Sequence, residues 1–309
     1  MRHNQYFVHH TGDGRSGGNL LTRETTVSFD SKFLFNGTHA EITRCLRYAA
    51  VVGLIVGGFA VPAMAAEMTA REIMQQVKDR DDGDNRVSDM EMVLIDRRGK
   101  ERLRKMRTFS KDKGEDDHSL MFFLSPADVK DTGFLTYDYD DDDADDDQWL
   151  YLPALKKTKR IAAGDKSGSF MGSDFNYSDM SQRSLDRYDY TIMKETDVDG
   201  HKVWQIESVP KTKDEIDETG YTKSVVFVRQ DNFVVVQSVG WLKKGKRLRY
   251  MEVNELQQID GIWVPVEVSM KTKKGKTTLH KTILKTSNVK FNQDLSEGDF
   301  TIRKLEKGL

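Results

Sequence analysis

Apolar and polar residues alternate with period two along most of the chain. From residue 262 to 270, Ile262, Val264, Val266, Val268 and Met270 fall on one side of an extended backbone. Trp263, Pro265, Glu267 and Ser269 fall on the other. One dry side and one wet side predict a half-buried antiparallel strand. Met90, Met92 and Leu94 alternate in the same way, Arg97, Arg98, Gly99 and Lys100 make a turn, and residues 103–109 return. Further strands are predicted at 119–124, 134–139, 188–193, 203–209, 224–229, 233–242, 247–256, 262–270 and 276–291. Short polar connections such as Gln230-Asp231-Asn232, Lys243-Lys244-Gly245-Lys246 and Asp260-Gly261 suit tight hairpins. Helical periodicity is rare. Thr69 and Glu72 form a capping box ahead of Ile73, Met74 and Val77, and a second helix is predicted over 178–186. The fold class is therefore mainly β: an antiparallel meander of about eleven strands with few helices. A long sheet with one dry face must curl, be covered, or hold a ligand there, and small barrels commonly fill themselves with side chains.

One segment breaks this pattern. Residues 47–66 read RYAAVVGLIVGGFAVPAMAA, with Arg44 and Arg47 before an apolar run and Ala63-Met64-Ala65 after Pro62. That is the layout of a secretory signal peptide, and the apolar run is short for a membrane span. The division expected is a polar extension over 1–40, a signal peptide over 41–65 cleaved after Ala65, and one domain over 66–309. The extension is patternless, and we read it as an upstream start site in preference to a long n-region. Cys45, the one cysteine, precedes the apolar run, so the exported part has none. This suits an oxidising compartment and excludes disulfide frameworks and multi-cysteine metal sites. The expected address is the periplasm.

Over 309 residues, 48 basic and 50 acidic residues give a net charge of −2. That balance argues against nucleic acid as a partner. Fifteen Phe, ten Tyr and four Trp supply enough apolar anchors for a folded core. No catalytic motif is present: Gly275-Lys276-Thr277 lacks the upstream glycine of a phosphate loop, and residues 164–173 never spell G-x-S-x-G. His118, His201 and His280 are far apart in the chain and read as solvated surface groups. We expect no enzyme activity, metal or cofactor. Eight of the ten residues 138–147 are Asp. Asp143 stands where a calcium loop needs Gly, so the run reads as a solvated loop between strands. Basic residues crowd 97–107, 156–160 and 243–249, either as the wet face of a sheet or as contacts for anionic headgroups or an acidic partner.

Residues 149–180 place Phe170, Met171, Phe175 and Tyr177 in a stretch otherwise polar and glycine-rich. These side chains either plug the dry face of the sheet or gate a cavity there. Ser178 is a plausible N-cap for the helix that follows, and Ser173 and Asp174 read as local capping groups. Together with Leu124-Ser125-Pro126-Ala127-Asp128-Val129, Thr132-Gly133-Phe134-Leu135, Trp149-Leu150-Tyr151-Leu152-Pro153-Ala154-Leu155 and Arg160, the run Gly172-Ser173-Asp174-Phe175-x-Tyr177-x-Asp179 resembles the outer-membrane lipoprotein-sorting family, relatives of the periplasmic lipoprotein carrier LolA. The resemblance extends over 87–305. It implies a strongly curved antiparallel half-barrel whose hollow is closed by helices and loops and holds acyl chains. It also implies as ligand lipoprotein acyl chains or a phospholipid, with an inner-membrane transporter and an outer-membrane acceptor as partners. The cavity residues expected are Met92, Leu94, Phe122, Leu135, Trp149, Tyr151, Phe170, Met171, Phe175, Tyr177, Val264, Val266 and Val268, with Phe170, Met171 and Phe175 as the gate. The alternatives are a non-catalytic envelope docking protein with a self-filled barrel and, more remotely, a hydrolase of envelope lipids.

Overall fold

The computed structural model describes residues 67–141 and 144–309; the predicted signal peptide and the extension before it lie outside the described residues. The described chain opens with helix α1 (Ala70–Lys78). Its capping box is formed: the Thr69 hydroxyl accepts from the Glu72 amide, and the Glu72 carboxylate accepts from the Thr69 amide at 2.7 Å. Two orphan amides of the first turn are thereby satisfied.

Thirteen strands follow: β1 (Asn85–Ile95), β2 (Glu101–Lys113), β3 (Asp116–Ser125), β4 (Gly133–Asp138), β5 (Asp147–Leu152), β6 (Lys157–Arg160), β7 (Tyr188–Val198), β8 (His201–Pro210), β9 (Tyr221–Arg229), β10 (Val235–Leu242), β11 (Arg247–Ile259), β12 (Ile262–Lys274) and β13 (Thr277–Phe291). Helix α2 (Lys213–Thr219) lies between β8 and β9, and α3 (Ile302–Lys307) closes the chain. All thirteen strands form one antiparallel sheet in the order β6-β5-β4-β3-β2-β1-β13-β12-β11-β10-β9-β8-β7. The two edges, β6 and β7, are consecutive in the chain yet do not pair, so the curved sheet stays open. The residues between them, 161–187, run through short 3-10 turns and form the plug of the hollow. β6 is only four residues long and presents Lys157, Lys159 and Arg160 to solvent, which discourages edge pairing.

The expected architecture is present, with differences in detail. β6, α2 and α3 carry no periodic pattern long enough to register in the sequence. The predicted helix over 178–186 is absent: two single 3-10 turns, Tyr177–Met180 and Leu185–Arg187, stand there. Asn176, not Ser178, caps the first of them, and the Asp179 carboxylate accepts from the Asn176 amide at 2.8 Å. His118 is buried and stacks on Tyr137 with centroids 4.0 Å apart, so it is not the solvated group its polar neighbours suggest. Its pKa is lowered by burial. The Asp-rich run connects β4 to β5. Among the described residues no helix is long and apolar enough to cross a membrane.

Apolar packing occurs on both faces of one half of the sheet. On the concave side, Met92, Leu94, Met106, Phe123, Phe134, Leu150 and Met270 form one cluster. On the convex side of β3–β5, Leu120, Phe122 and Leu135 pack against Phe300 and Leu305 of the C-terminal segment. Gly133 makes this docking possible: a Cβ there would stand 2.5 Å from the Leu305 side chain. Helix α1 covers the opposite end, burying Ala70 and Ile73 against Ile206 and Val228.

Candidate functional site

The concave hollow is divided between a plug and a cavity. Phe170 has no exposed surface and sits in an aromatic nest, with ring centroids 5.0 Å from Phe134, 5.5 Å from Tyr177 and 6.3 Å from Phe123. The backbone turns sharply after it, with Met171 and Gly172 both at positive φ (49° and 74°). The Arg104 guanidinium of β2 donates to the Met171 carbonyl. The Asp174 carboxylate, 1% exposed, accepts from the Thr272 hydroxyl at 2.5 Å and the Thr282 hydroxyl at 2.8 Å, and His280 Nδ1 contacts it. Asp174 thus ties the plug across β12 and β13. Lys166, 2% exposed, forms an ion pair at 2.6 Å with Glu218 of α2. Desolvation offsets much of the Coulombic gain of a buried pair of this kind.

The thirteen residues predicted to line a cavity fall in three places. Met92, Leu94, Phe170 and Phe175 are buried in the concave cluster, with Met171, Tyr177 and Val268 packed on it. Phe122 and Leu135, flanked by Trp149 and Tyr151, face the opposite side of the sheet, beneath α3. Val264 and Val266 pack with Phe291 near the far end of their strand.

Beside the plug lies an unfilled cavity of about 470 Å³. It is bounded by Met74 and Val77 of α1, by Phe175 and Leu185, and by Val226, Val235, Met251 and Met270 on β9–β12. Of the predicted residues, Phe175 alone lines it. The others that line it carried a signal in the sequence: Met74 and Val77 share the apolar face of α1, and Met251 and Met270 face each other across β11 and β12. Its volume falls in the range of roughly 300–1,000 Å³ typical of small-molecule sites.

One end of this cavity is polar. Tyr221 lies flat over Gly240, where a Cβ would meet its ring at 2.6 Å, so the absence of a side chain sets the tyrosine's path. Its hydroxyl accepts from Arg249 Nη1 at 2.8 Å and donates to the Asp179 carboxylate at 3.2 Å. Arg249 stands opposite Gly240 in the β10–β11 ladder and is 3.4 Å from Asp179. Arg183 stacks over Tyr221 at 5.2 Å and Tyr188 at 5.6 Å, and donates to the Ser224 hydroxyl at 3.2 Å. Burial works against the Arg183 charge, but Tyr188, Asp179 and Tyr221 more than offset it, and its pKa is raised. Burial, reinforced by Asp179, pushes the Tyr221 phenol above its usual range, so it stays protonated. A larger recess of about 930 Å³ shares Arg249 with the cavity and carries Arg102, Lys244, Arg247 and Lys281 on its walls, together with Asp96, Asp165 and Asp217.

Among the described residues, no histidine or cysteine lines the cavity. It offers an apolar wall from α1 and β9–β12 beside polar serines and two guanidiniums at one end, a mixed lining that suits an amphipathic molecule.

Comparison with known proteins places this geometry among others. A family model described as an uncharacterized protein matches residues 115–307. A crystal structure of an outer membrane lipoprotein-sorting protein domain from Vibrio parahaemolyticus is 34% identical, with a TM-score of 0.69, and the match covers 77% of this chain and 98% of that one. A DUF1329 family protein from Desulfovibrio piger is 30% identical at the same TM-score, covering 76% and 97%. The LolA superfamily protein NE2245 from Nitrosomonas europaea shares the fold at 17% identity, with a TM-score of 0.59 over 77% and 99% of the two chains. No curated protein matches.

Proposed function

Because the chain belongs to the LolA-like family of outer-membrane lipoprotein-sorting proteins, we propose that it is a periplasmic carrier that takes acyl chains of a lipid or lipoprotein into its half-barrel. The observation that carries this reading is the unfilled cavity beneath α1, one side of which is lined by Met74, Val77, Val226, Val235, Met251 and Met270. Each methylene withdrawn from water contributes about 0.8 kcal/mol, so a long acyl chain gains enough to leave a membrane without any catalytic group. Part of that gain is offset by the ordering of the chain. Transfer then requires a donor and an acceptor. A transporter in the inner membrane and a receptor at the outer membrane fit the role.

The test is native mass spectrometry of the protein recovered from periplasm without detergent. A bound amphiphile of defined mass supports the carrier. A clean protein mass that stays unchanged after incubation with phospholipid vesicles overturns it. That outcome favours an envelope docking protein with a self-filled barrel, the second reading. The specific observation behind it is Phe170, which is fully buried in the concave cluster.

A further inference from the structure

The cavity's charge does not balance. Lys78, Arg80, Arg183 and Arg249 line it against only two carboxylates, Asp82 and Asp179. Lys78 has a partner outside it, Asp140, at 2.5 Å. At the polar end itself, Arg183 and Arg249 share the single carboxylate of Asp179. Arg249 is 8% exposed, and its Nε is buried with no hydrogen-bond partner among the described residues. A buried guanidinium with an unused donor is costly: an unmade hydrogen bond of a buried polar group costs about 1–3 kcal/mol, and more for a charged one. A surplus positive charge in a low-dielectric cavity adds to that cost. The charge surplus is relieved if an anion occupies the polar end. A guanidinium is suited to that task, because its fork matches a carboxylate or phosphate in two parallel bonds.

We propose that the cavity selects an anionic amphiphile, whose acyl tail lies against Met74, Val77, Val235 and Met251 and whose carboxylate or phosphate headgroup pairs with Arg183 and Arg249. This rests on the carrier reading and narrows it, because it names the charge of the headgroup. Tyr221 and Gly240 act as positioning residues: the tyrosine hydroxyl fixes the Arg249 fork, and the glycine leaves room for the tyrosine ring. Asp179 holds the two guanidiniums in place in the absence of cargo. The basic residues on the wall of the larger recess, which shares Arg249, raise the local concentration of such a ligand.

The test compares four probes by displacement of a fluorescent fatty acid from the protein made from its full coding sequence. The probes are palmitate, 1-palmitoyl-lysophosphatidic acid, the uncharged monopalmitin, and inorganic phosphate alone. The expected result is that both anionic lipids bind at least tenfold tighter than monopalmitin, while phosphate alone does not displace the probe at millimolar concentration. R249Q, and separately R183Q, should cut that preference below threefold, with circular dichroism and a cooperative denaturation transition reporting that each variant is folded. R249K should retain an intermediate preference if the first variant fails to fold. Equal affinity for charged and uncharged lipids overturns the headgroup assignment and leaves the carrier standing. Displacement by phosphate alone overturns the amphiphile and assigns a free-anion site. Failure of all three lipids to bind sinks the carrier reading, and the inference with it.

Discussion

Asp174 and Thr282 are bonded to each other twice. The Asp174 amide donates to the Thr282 hydroxyl at 2.9 Å, and that hydroxyl donates to the Asp174 carboxylate at 2.8 Å. The pair lies 108 residues apart in sequence and joins the tip of the plug to the middle of β13, deep in the hollow. Both partners are about 1% exposed, so neither bond is exchanged for water in the folded state. The T282V variant removes both bonds at nearly constant volume and leaves an amide and a charged oxygen short of partners. The expected cost is about 1.5–3 kcal/mol, the value for a hydrogen bond to a charged group. Chemical denaturation checks the magnitude. Hydrogen exchange checks the mechanism: amides of residues 170–177 should lose protection, whereas those of β3 and β4 should not.

Gly240 sets the polar end of the cavity through Tyr221. An added Cβ would stand 2.6 and 2.7 Å from two atoms of the tyrosine ring, closer than any relaxed contact. G240A should therefore cost about 1–3 kcal/mol, the usual price of overpacking a core. Combined with Y221A, the same substitution should cost little beyond Y221A alone, because the ring it strikes is gone. A double-mutant cycle by denaturation reads that coupling. Full additivity would mean that the glycine serves the backbone and not the ring.

Asp138 at the end of β4 and Asp112 in β2 predict a pH dependence. Burial, and next the neighbouring Asp146, push the Asp138 carboxyl up to about 8, against the opposing effects of the Gln182 amide and Lys78. Burial, and a hydrogen bond that protonated Asp112 donates to Asp117, raise Asp112 to about 7. In the unfolded chain both groups titrate near 3.8. Between pH 4 and 8 the folded state therefore holds protons that the unfolded state has released. Linkage makes the contribution of these groups to stability fall as pH rises through that window. D138N removes the larger share. It should be more stable than the parent at pH 8, with the difference vanishing by about pH 4. Denaturation midpoints at four or five pH values measure it. A D138N protein less stable than the parent at pH 8 would contradict the assignment.

Most of the sheet was legible in the sequence because a sheet with one dry face repeats with period two and its hairpins advertise themselves. The face of each residue was not legible in β3–β5. There α3 covers the convex side, so Phe122 and Leu135 are as buried as Phe123 and Phe134 on the other, and hydrophobicity no longer reports which side faces the hollow. Helix α3 has six residues, too few for a helical period to show. The polar end of the cavity was hidden for a different reason. Arg249 belongs to a basic run, 243–249, that reads as an outer face, and only the β10–β11 register turns it inward opposite Gly240. Phe170 and Phe175 stood out as apolar residues on a polar loop, yet sequence alone could not say that one is a plug and the other a wall.

That last distinction has a measurable consequence. Phe170 is surrounded on all sides, with Phe123, Phe134 and Tyr177 against its ring, so F170A leaves a closed void and should cost about 3–5 kcal/mol. Phe175 is also buried, but one side of it borders the 470 Å³ cavity, where it has no partner atoms to lose. F175A should therefore cost less stability than F170A and act mainly on the ligand, whose tail loses a wall. Thermal denaturation ranks the two stabilities, and displacement of a bound fluorescent fatty acid ranks the two affinities. The orders should be opposite: F170A the less stable, F175A the weaker binder among molecules that remain folded. If both variants lose stability equally and neither changes binding, the two phenylalanines are one plug and the cavity beside them is a packing remnant.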